Sequence, residues 1–190
     1  MFSQTNNTHS ADLPKESKQE YFERVMMPHL NAAYNLARWM TRNEHDAEDV
    51  VQEAYLRAFT AVDGFRSDSN GRAWILAIVR NTCLTWLQRN RPKEVVTAAN
   101  EDLDMKADAS LNPEQTLILM TRSDLFKKAL GELPLRYREI LILREIEELS
   151  YTAIAQVADI PLGTVMSRLA RARQQLQYHV LGMASKEVRR

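Results

Sequence analysis

A single cysteine, Cys83, excludes an internal disulfide framework and any zinc site built from several thiolates. It lies in an apolar helical run and reads as a buried structural thiol. Glycine is scarce as well, five residues in 190, and no long alternating run marks a sheet. Apolar residues recur with helical spacing almost throughout, which predicts an all-α protein. No apolar stretch approaches the ~20 residues that cross a bilayer, so direct membrane insertion is not expected. The first seventeen residues, MFSQTNNTHSADLPKES, are polar and lack the apolar core of a signal peptide. They predict a disordered tail (1–17) on a cytoplasmic protein. His9, His29, His45 and His179 are scattered, and nothing calls for a metal or another cofactor.

Net charge is also missing, because 25 basic and 25 acidic residues cancel. A free-standing DNA binder is usually basic, since phosphate neutralisation supplies much of its affinity. A zero balance implies a partner that shares the work, or charges that are segregated. They are segregated here. From Tyr151 onward the basic residues are Arg168, Arg171, Arg173, Lys186, Arg189 and Arg190, against only Asp159 and Glu187. Glu44 to Glu53 is the reverse, with five carboxylates and no Lys or Arg.

The periodicity divides the chain into two small helical domains, 18–92 and 114–185, joined by an acidic linker at 93–113. Tyr21–Thr41 predicts a helix broken near Pro28. Asp46–Val62 predicts the cleanest helix, with one broad apolar face from Ala47 to Phe59 and Val62. Asp46, Asp49 and Glu53 form an acidic stripe beside that face. The stripe admits a solvated face, a docking surface for a basic partner or, with His45, part of a metal site. Asp63–Gly71 is a loop by composition. Arg72–Asn90 predicts a third helix, apolar nearly all round in its first half and polar on one face at Asn81, Thr85, Gln88 and Arg89. Trp74 and Trp86 lie among Arg72, Arg80, Arg89 and Arg91; they fit a core, or a platform on which single-stranded bases stack. After the linker, Gln115–Leu130 predicts a helix that Gly131 and Pro134 break, and Pro134–Glu147 another.

Ser150–Leu176 carries the strongest motif. Ser150 can cap a short helix whose inner face is Ile154, Ala155 and Ala158. Asp159 falls where the chain must turn, and Asp tolerates the left-handed conformation better than most residues. Pro161 suits the start of the next helix. That helix has a core stripe of Val165, Leu169, Ala172 and Leu176. Thr164, Ser167, Arg168, Arg171 and Gln175 point away from it. Hydroxyl, Arg and Gln side chains read base edges and hold phosphates. The outline is a helix-turn-helix whose second helix enters the major groove.

Three stretches in this order resemble the extracytoplasmic-function (ECF) group of bacterial sigma factors: DAEDVVQEAYLRAF at Asp46–Phe59, AWILAIVRNTCLTWLQRNR at Ala73–Arg91, and Leu133–Leu176. The resemblance implies a region 2 helical bundle, a region 4 helix-turn-helix and a non-enzymatic initiation factor. Asp46, Asp49, Gln52 and Glu53 would then dock on the β′ clamp of core RNA polymerase, with the β flap as a further contact. The loop with Phe65 and Arg66, and the face of Asn81, Thr85, Gln88 and Arg89, would meet the minus-ten element of promoter DNA. Thr164, Ser167, Arg168 and Arg171 would read the minus-thirty-five element. The resemblance also implies an anti-sigma factor, often anchored at the inner membrane, and a stress or envelope regulon. Met166 stands where the family often has Lys, and Asp159 where it often has Gly. Two alternatives remain on the residues themselves. A plain helix-turn-helix regulator leaves the acidic stripe and the polar face at Asn81 unexplained. A nuclease needs carboxylates clustered around a metal, and the only cluster lies along one helix.

Overall fold

A computed structural model describes residues 16–66, 69–92 and 124–187. The expected tail up to residue 15, the linker 93–113 and residues 115–123 of the helix expected from Gln115 lie outside them.

The described chain enters α1 (Lys18–Met26) through a reciprocal cap. Ser17 Oγ accepts the Glu20 N–H at 3.2 Å, and Glu20 Oε2 accepts the Ser17 N–H at 2.8 Å. Pro28 sits in a 3-10 turn (Met27–His29), because its ring removes an N–H that a continuing α-helix needs. Then α2 (Leu30–Thr41) resumes and closes on Arg42 in the left-handed region, φ 57°. Asn43 caps α3 (Glu44–Ala61), its Oδ1 accepting the Asp46 N–H at 3.0 Å. A 3-10 turn (Val62–Gly64) follows. Asn70 caps α4 (Gly71–Asn90) in the same way as Asn43, through the Ala73 N–H at 3.1 Å.

Helices α2, α3 and α4 pack on one another. Ala33, Ala37, Ala47 and Ala54 are fully buried, and such small residues let the helices approach closely. Leu36, Met40, Val50, Leu76, Val79 and Leu87 fill the space between. On another side α1 brings Phe22 and Met26 onto Ala58, Val62 and Ile75. The first half of α4 therefore buries more than one face, and its apolar residues form no single stripe.

In the second unit α5 (Asp124–Glu132) runs through Gly131 instead of ending there. A glycine in a last turn costs only ~1 kcal/mol relative to alanine. The stop is Pro134, which precedes α6 (Leu135–Leu141). The single helix expected to Glu147 loosens into a π-helical turn (Ile142–Ile146), and Glu148 turns the chain at φ 51°. Then come α7 (Tyr151–Ala158) and the long α8 (Leu162–Glu187). Among the described residues there is no strand, and no helix is long and apolar enough to cross a membrane.

The two units pack directly together, with α4 against α7 and α2 against α6. One continuous set of buried side chains runs from Ala32 to Val180. Arg80 pairs with Glu139 at 3.0 Å and Arg72 with Glu147 at 2.6 Å across this seam.

Candidate nucleic-acid and protein interfaces

The acidic face of α3 is built around a joint. Asp46 is half-buried and bonded to an Arg91 amino group at 3.2 Å. Arg91 also donates to the Thr41 carbonyl at 2.7 Å, and its guanidinium lies over the Trp86 ring, 5.4 Å from the centroid. The end of α4 is thereby stapled to the start of α3. Asp49, Gln52 and Glu53 are exposed farther along, and Glu53 pairs with Arg57 one turn on. Asp49, Gln52 and Glu53 thus form an open polar face, while Asp46 is tied inward.

Beside this face lies a groove of about 670 Å³. Met27 and Leu30 form part of one wall; Val51, Tyr55, Leu56 and Phe59 form the other, with Glu48 and Gln52 at the polar edge. Leu56 is 64% exposed and Met27 44%. The broad apolar face expected on this helix therefore splits. Ala47, Val50, Val51, Ala54, Ala58 and Val62 are buried, whereas Phe59 is exposed and Tyr55 half-buried. Tyr55 and Phe59 instead line the groove. Tyr55 donates to the Met26 carbonyl at 3.2 Å, and burial pushes its phenol up to about 12. The signal for this groove was in the sequence: Val51, Tyr55 and Phe59 recur at steps of four, one position away from the buried Val50, Ala54, Ala58 set.

The second candidate surface is α4 with the loop before it. Asn81, Gln88 and Arg89 are exposed and Thr85 half-buried, at a spacing that puts all four on one side of the helix. Thr85 Oγ1 donates back to the Asn81 carbonyl at 2.9 Å, leaving the Asn81 side chain outward. Arg66 is exposed on the loop, but Phe65 is half-buried against Trp74, with ring centroids 5.0 Å apart. A methyl group at Gly71 would meet Val25 at 3.2 Å and Phe65 at 3.7 Å, so this position has little room for a side chain. Trp74 and Trp86 are both half-buried, Trp86 beneath Arg91. Arg72 and Arg80 point into the seam with the second unit.

The third surface is the helix-turn-helix. Ser150 Oγ accepts the Ala153 N–H at 3.2 Å. Asp159 is left-handed, φ 52° and ψ 52°, which accounts for glycine being an equally good choice there. The Ile160 N–H returns to the Ala155 carbonyl at 3.1 Å and closes the turn. Val165, Leu169, Ala172 and Leu176 are each at most 1% exposed. Thr164 and Arg168 are half-buried; Ser167 and Arg171 are exposed. Met166 is 54% exposed on the same helix. Arg173 faces inward to Glu145 at 2.7 Å and anchors α8 to the π-helical turn. The structure thus gathers each of the three predicted residue groups on its own surface, with Phe65 and Asp46 engaged in internal contacts.

The sequence matches the Sigma-70 region 2 family over residues 25–93 and the Sigma-70 region 4 family over residues 123–176. It is 30% identical to the ECF RNA polymerase sigma factor SigW of Bacillus subtilis over 170 residues, covering 86% of this chain and 90% of the relative. It is 36% identical to the ECF RNA polymerase sigma-E factor of Escherichia coli K12 over 141 residues, 71% of this chain and 74% of the relative. Among solved structures it resembles the sigma factor RpoE from Bartonella quintana, crystallised in complex with the anti-sigma factor NepR. That match has a TM-score of 0.65 and 31% identity, and covers 85% of this chain and 97% of the other.

Proposed function

The chain belongs to the extracytoplasmic-function group of RNA polymerase sigma factors, and on that premise we propose how its three surfaces divide the work of initiation. The exposed face of Asp49, Gln52 and Glu53, with Asp46 at its head, docks on a basic surface of the core polymerase β′ clamp. The adjoining apolar groove takes apolar side chains of the same partner, and the second domain contacts the β flap. Asn81, Thr85, Gln88 and Arg89, with the Phe65–Arg66 loop, hold the minus-ten strand. Thr164, Ser167, Arg168 and Arg171 read the minus-thirty-five element in the major groove. The protein contributes recognition and strand capture; the polymerase contributes the chemistry. Because its B. quintana relative binds an anti-sigma factor, we infer that an anti-sigma protein competes with polymerase for the α3 face. The chain then works in the cytoplasm, held near the inner membrane when that partner is anchored there, and directs a stress or envelope regulon.

One observation carries this reading. The sequence builds two separate polar helix faces, one on α4 and one on α8, each on a helix that also carries buried residues and each on its own domain. Two readers on one chain fit a promoter with two elements, and a neutral chain fits a reader that borrows its DNA affinity from polymerase. Extracting bases from the duplex costs a few kcal/mol, so the free protein binds duplex promoter weakly. Gel filtration with purified core polymerase tests the docking face. The full chain should co-elute with core, and Asp49→Ala with Glu53→Ala should weaken that association while leaving the fold intact. Unaltered co-elution of the double variant would remove α3 from the docking surface.

A further inference from the structure

Helix α8 presents an outward face of two unlike halves. At ~100° per residue, the core stripe from Val165 to Leu176 leaves Leu162, Met166 and Ala170 to one side and Thr164, Arg168 and Arg171 to the other. Gly163 and Ser167 lie between them. The first side is apolar yet open to solvent: Leu162 is 45% and Met166 54% exposed, and Ala170 is exposed as well. The second side holds the hydroxyl and guanidinium groups already assigned to DNA.

Gly163 widens the opening. A methyl group built on it would meet nothing within 4 Å, so packing does not require glycine there, and glycine is a poor helix former. Its missing side chain lets a ligand approach the backbone closely. A lone exposed methionine would need no explanation. Here two large apolar side chains sit one turn apart, alongside Thr164 and Ser167.

The chemistry of the groove says what such a half-face fits. An α-helix with its side chains is ~10–12 Å across, and the major groove is ~12 Å wide. Both halves of the face therefore meet base edges when α8 enters. In that groove the four bases offer ring nitrogens, carbonyl groups, amino groups and one apolar group, the C5 methyl of thymine. An apolar side chain laid over amino or carbonyl groups strips their water and returns no hydrogen bond. Laid over a thymine methyl, it buries apolar surface on both partners. Methionine is unbranched and polarizable, so it adapts to the place where the methyl falls.

We propose that Met166, flanked by Leu162, is a specificity-determining residue that selects thymine by its methyl group within the minus-thirty-five element. The inference rests on the reading of α8 given above and deepens it. Thr164, Ser167, Arg168 and Arg171 supply hydrogen bonds and phosphate contacts. Met166 supplies discrimination against the other three bases at the pair beneath it.

The test uses holoenzyme assembled from purified core polymerase and the full chain. Duplexes are selected from a pool randomised over the length of a promoter, and thermal melting by circular dichroism checks the fold of each variant. The selected upstream block should contain a thymine that Met166→Lys replaces by guanine, because lysine donates to guanine O6 and N7. Deoxyuridine at that thymine removes only the methyl, and should weaken holoenzyme binding about fourfold, the worth of one buried methyl. With Met166→Ala the same replacement should have almost no effect, since the two changes remove one shared contact. A block in which no thymine depends on residue 166, or a uracil effect equally large with Met166→Ala, overturns the proposal. Arg171→Ala separates the two readings. If it weakens binding to the selected duplexes while uracil does not, only the methyl reading is wrong. If Arg171→Ala changes nothing, or no upstream block is selected, the reading of α8 falls as well.

Discussion

Replacing Arg91 by alanine removes at least three contacts at once. The charged hydrogen bond to the Thr41 carbonyl, 2.7 Å long, contributes ~1.5 kcal/mol. The ion pair with Asp46, whose side chains are 32% and 22% exposed, contributes ~0.5 kcal/mol. The guanidinium over Trp86, 5.4 Å from the centroid, adds ~0.5 kcal/mol. Arg91→Ala should therefore cost about 2–3 kcal/mol. Asp46→Ala should cost ~0.5–1 kcal/mol, and the double variant less than the sum by ~0.5–1 kcal/mol, because the shared ion pair is lost only once. Tryptophan fluorescence in urea reads this cleanly, since Trp39, Trp74 and Trp86 all lie in the first domain. A cost below ~0.5 kcal/mol for Arg91→Ala, or strict additivity of the two substitutions, would refute the joint. The joint also changes how docking variants are read. Asp46→Ala should weaken polymerase binding partly by releasing the start of α3, whereas the exposed Asp49 carries no such tie, so Asp49→Ala should act through charge.

Leu169 is 1% exposed in the helix-turn-helix core, so Leu169→Ala should cost ~2–5 kcal/mol in thermal melting. Arg168→Ala should leave stability within ~0.5 kcal/mol while lowering transcription from a promoter that depends on its upstream element. Asp159, at φ 52°, should accept glycine within ~0.5 kcal/mol; valine there should cost ~1–2 kcal/mol, measured as a shift in urea midpoint. Burial, with Glu139 nearby, pushes the Cys83 thiol well above its ordinary 9.0. The unfolded chain therefore loses this proton first as pH rises. Stability should fall above pH 9 by up to ~1.4 kcal/mol per pH unit from this group alone. Comparing urea midpoints of wild type and Cys83→Ala between pH 9 and 10 isolates that contribution; parallel curves would contradict it.

Helix positions were legible because capping and apolar spacing are local. Asn43, Asn70 and Ser150 each bond a backbone N–H three residues on. Each member of the stripe Val165, Leu169, Ala172, Leu176 is buried as its period requires. The three candidate faces were legible for the same reason, as polar residues repeating at helical steps. The groove was less so, because Phe59 reads as core by its spacing while Leu56 falls outside that apolar face, and both are exposed. The seam between the domains left no local trace. Arg80 and Glu139 are 59 residues apart, so no local pattern pairs them. Asp46 belongs in the same class, since its partner Arg91 is 45 residues away. Gly131 and the π-helical turn were misplaced for a different reason: tertiary packing carried one helix past a weak breaker and loosened another without one.

Transcription in vitro tests the central claim most directly. Purified core polymerase is given a template carrying the DNA upstream of this protein's own operon, with and without the protein. A discrete transcript should appear only when the protein is present, and should fade when Asp49 and Glu53 become alanine or when Thr164, Ser167, Arg168 and Arg171 do. Specific binding of that duplex by the free protein as a dimer, with no association with core and no transcript, would contradict the account and make the chain a stand-alone regulator.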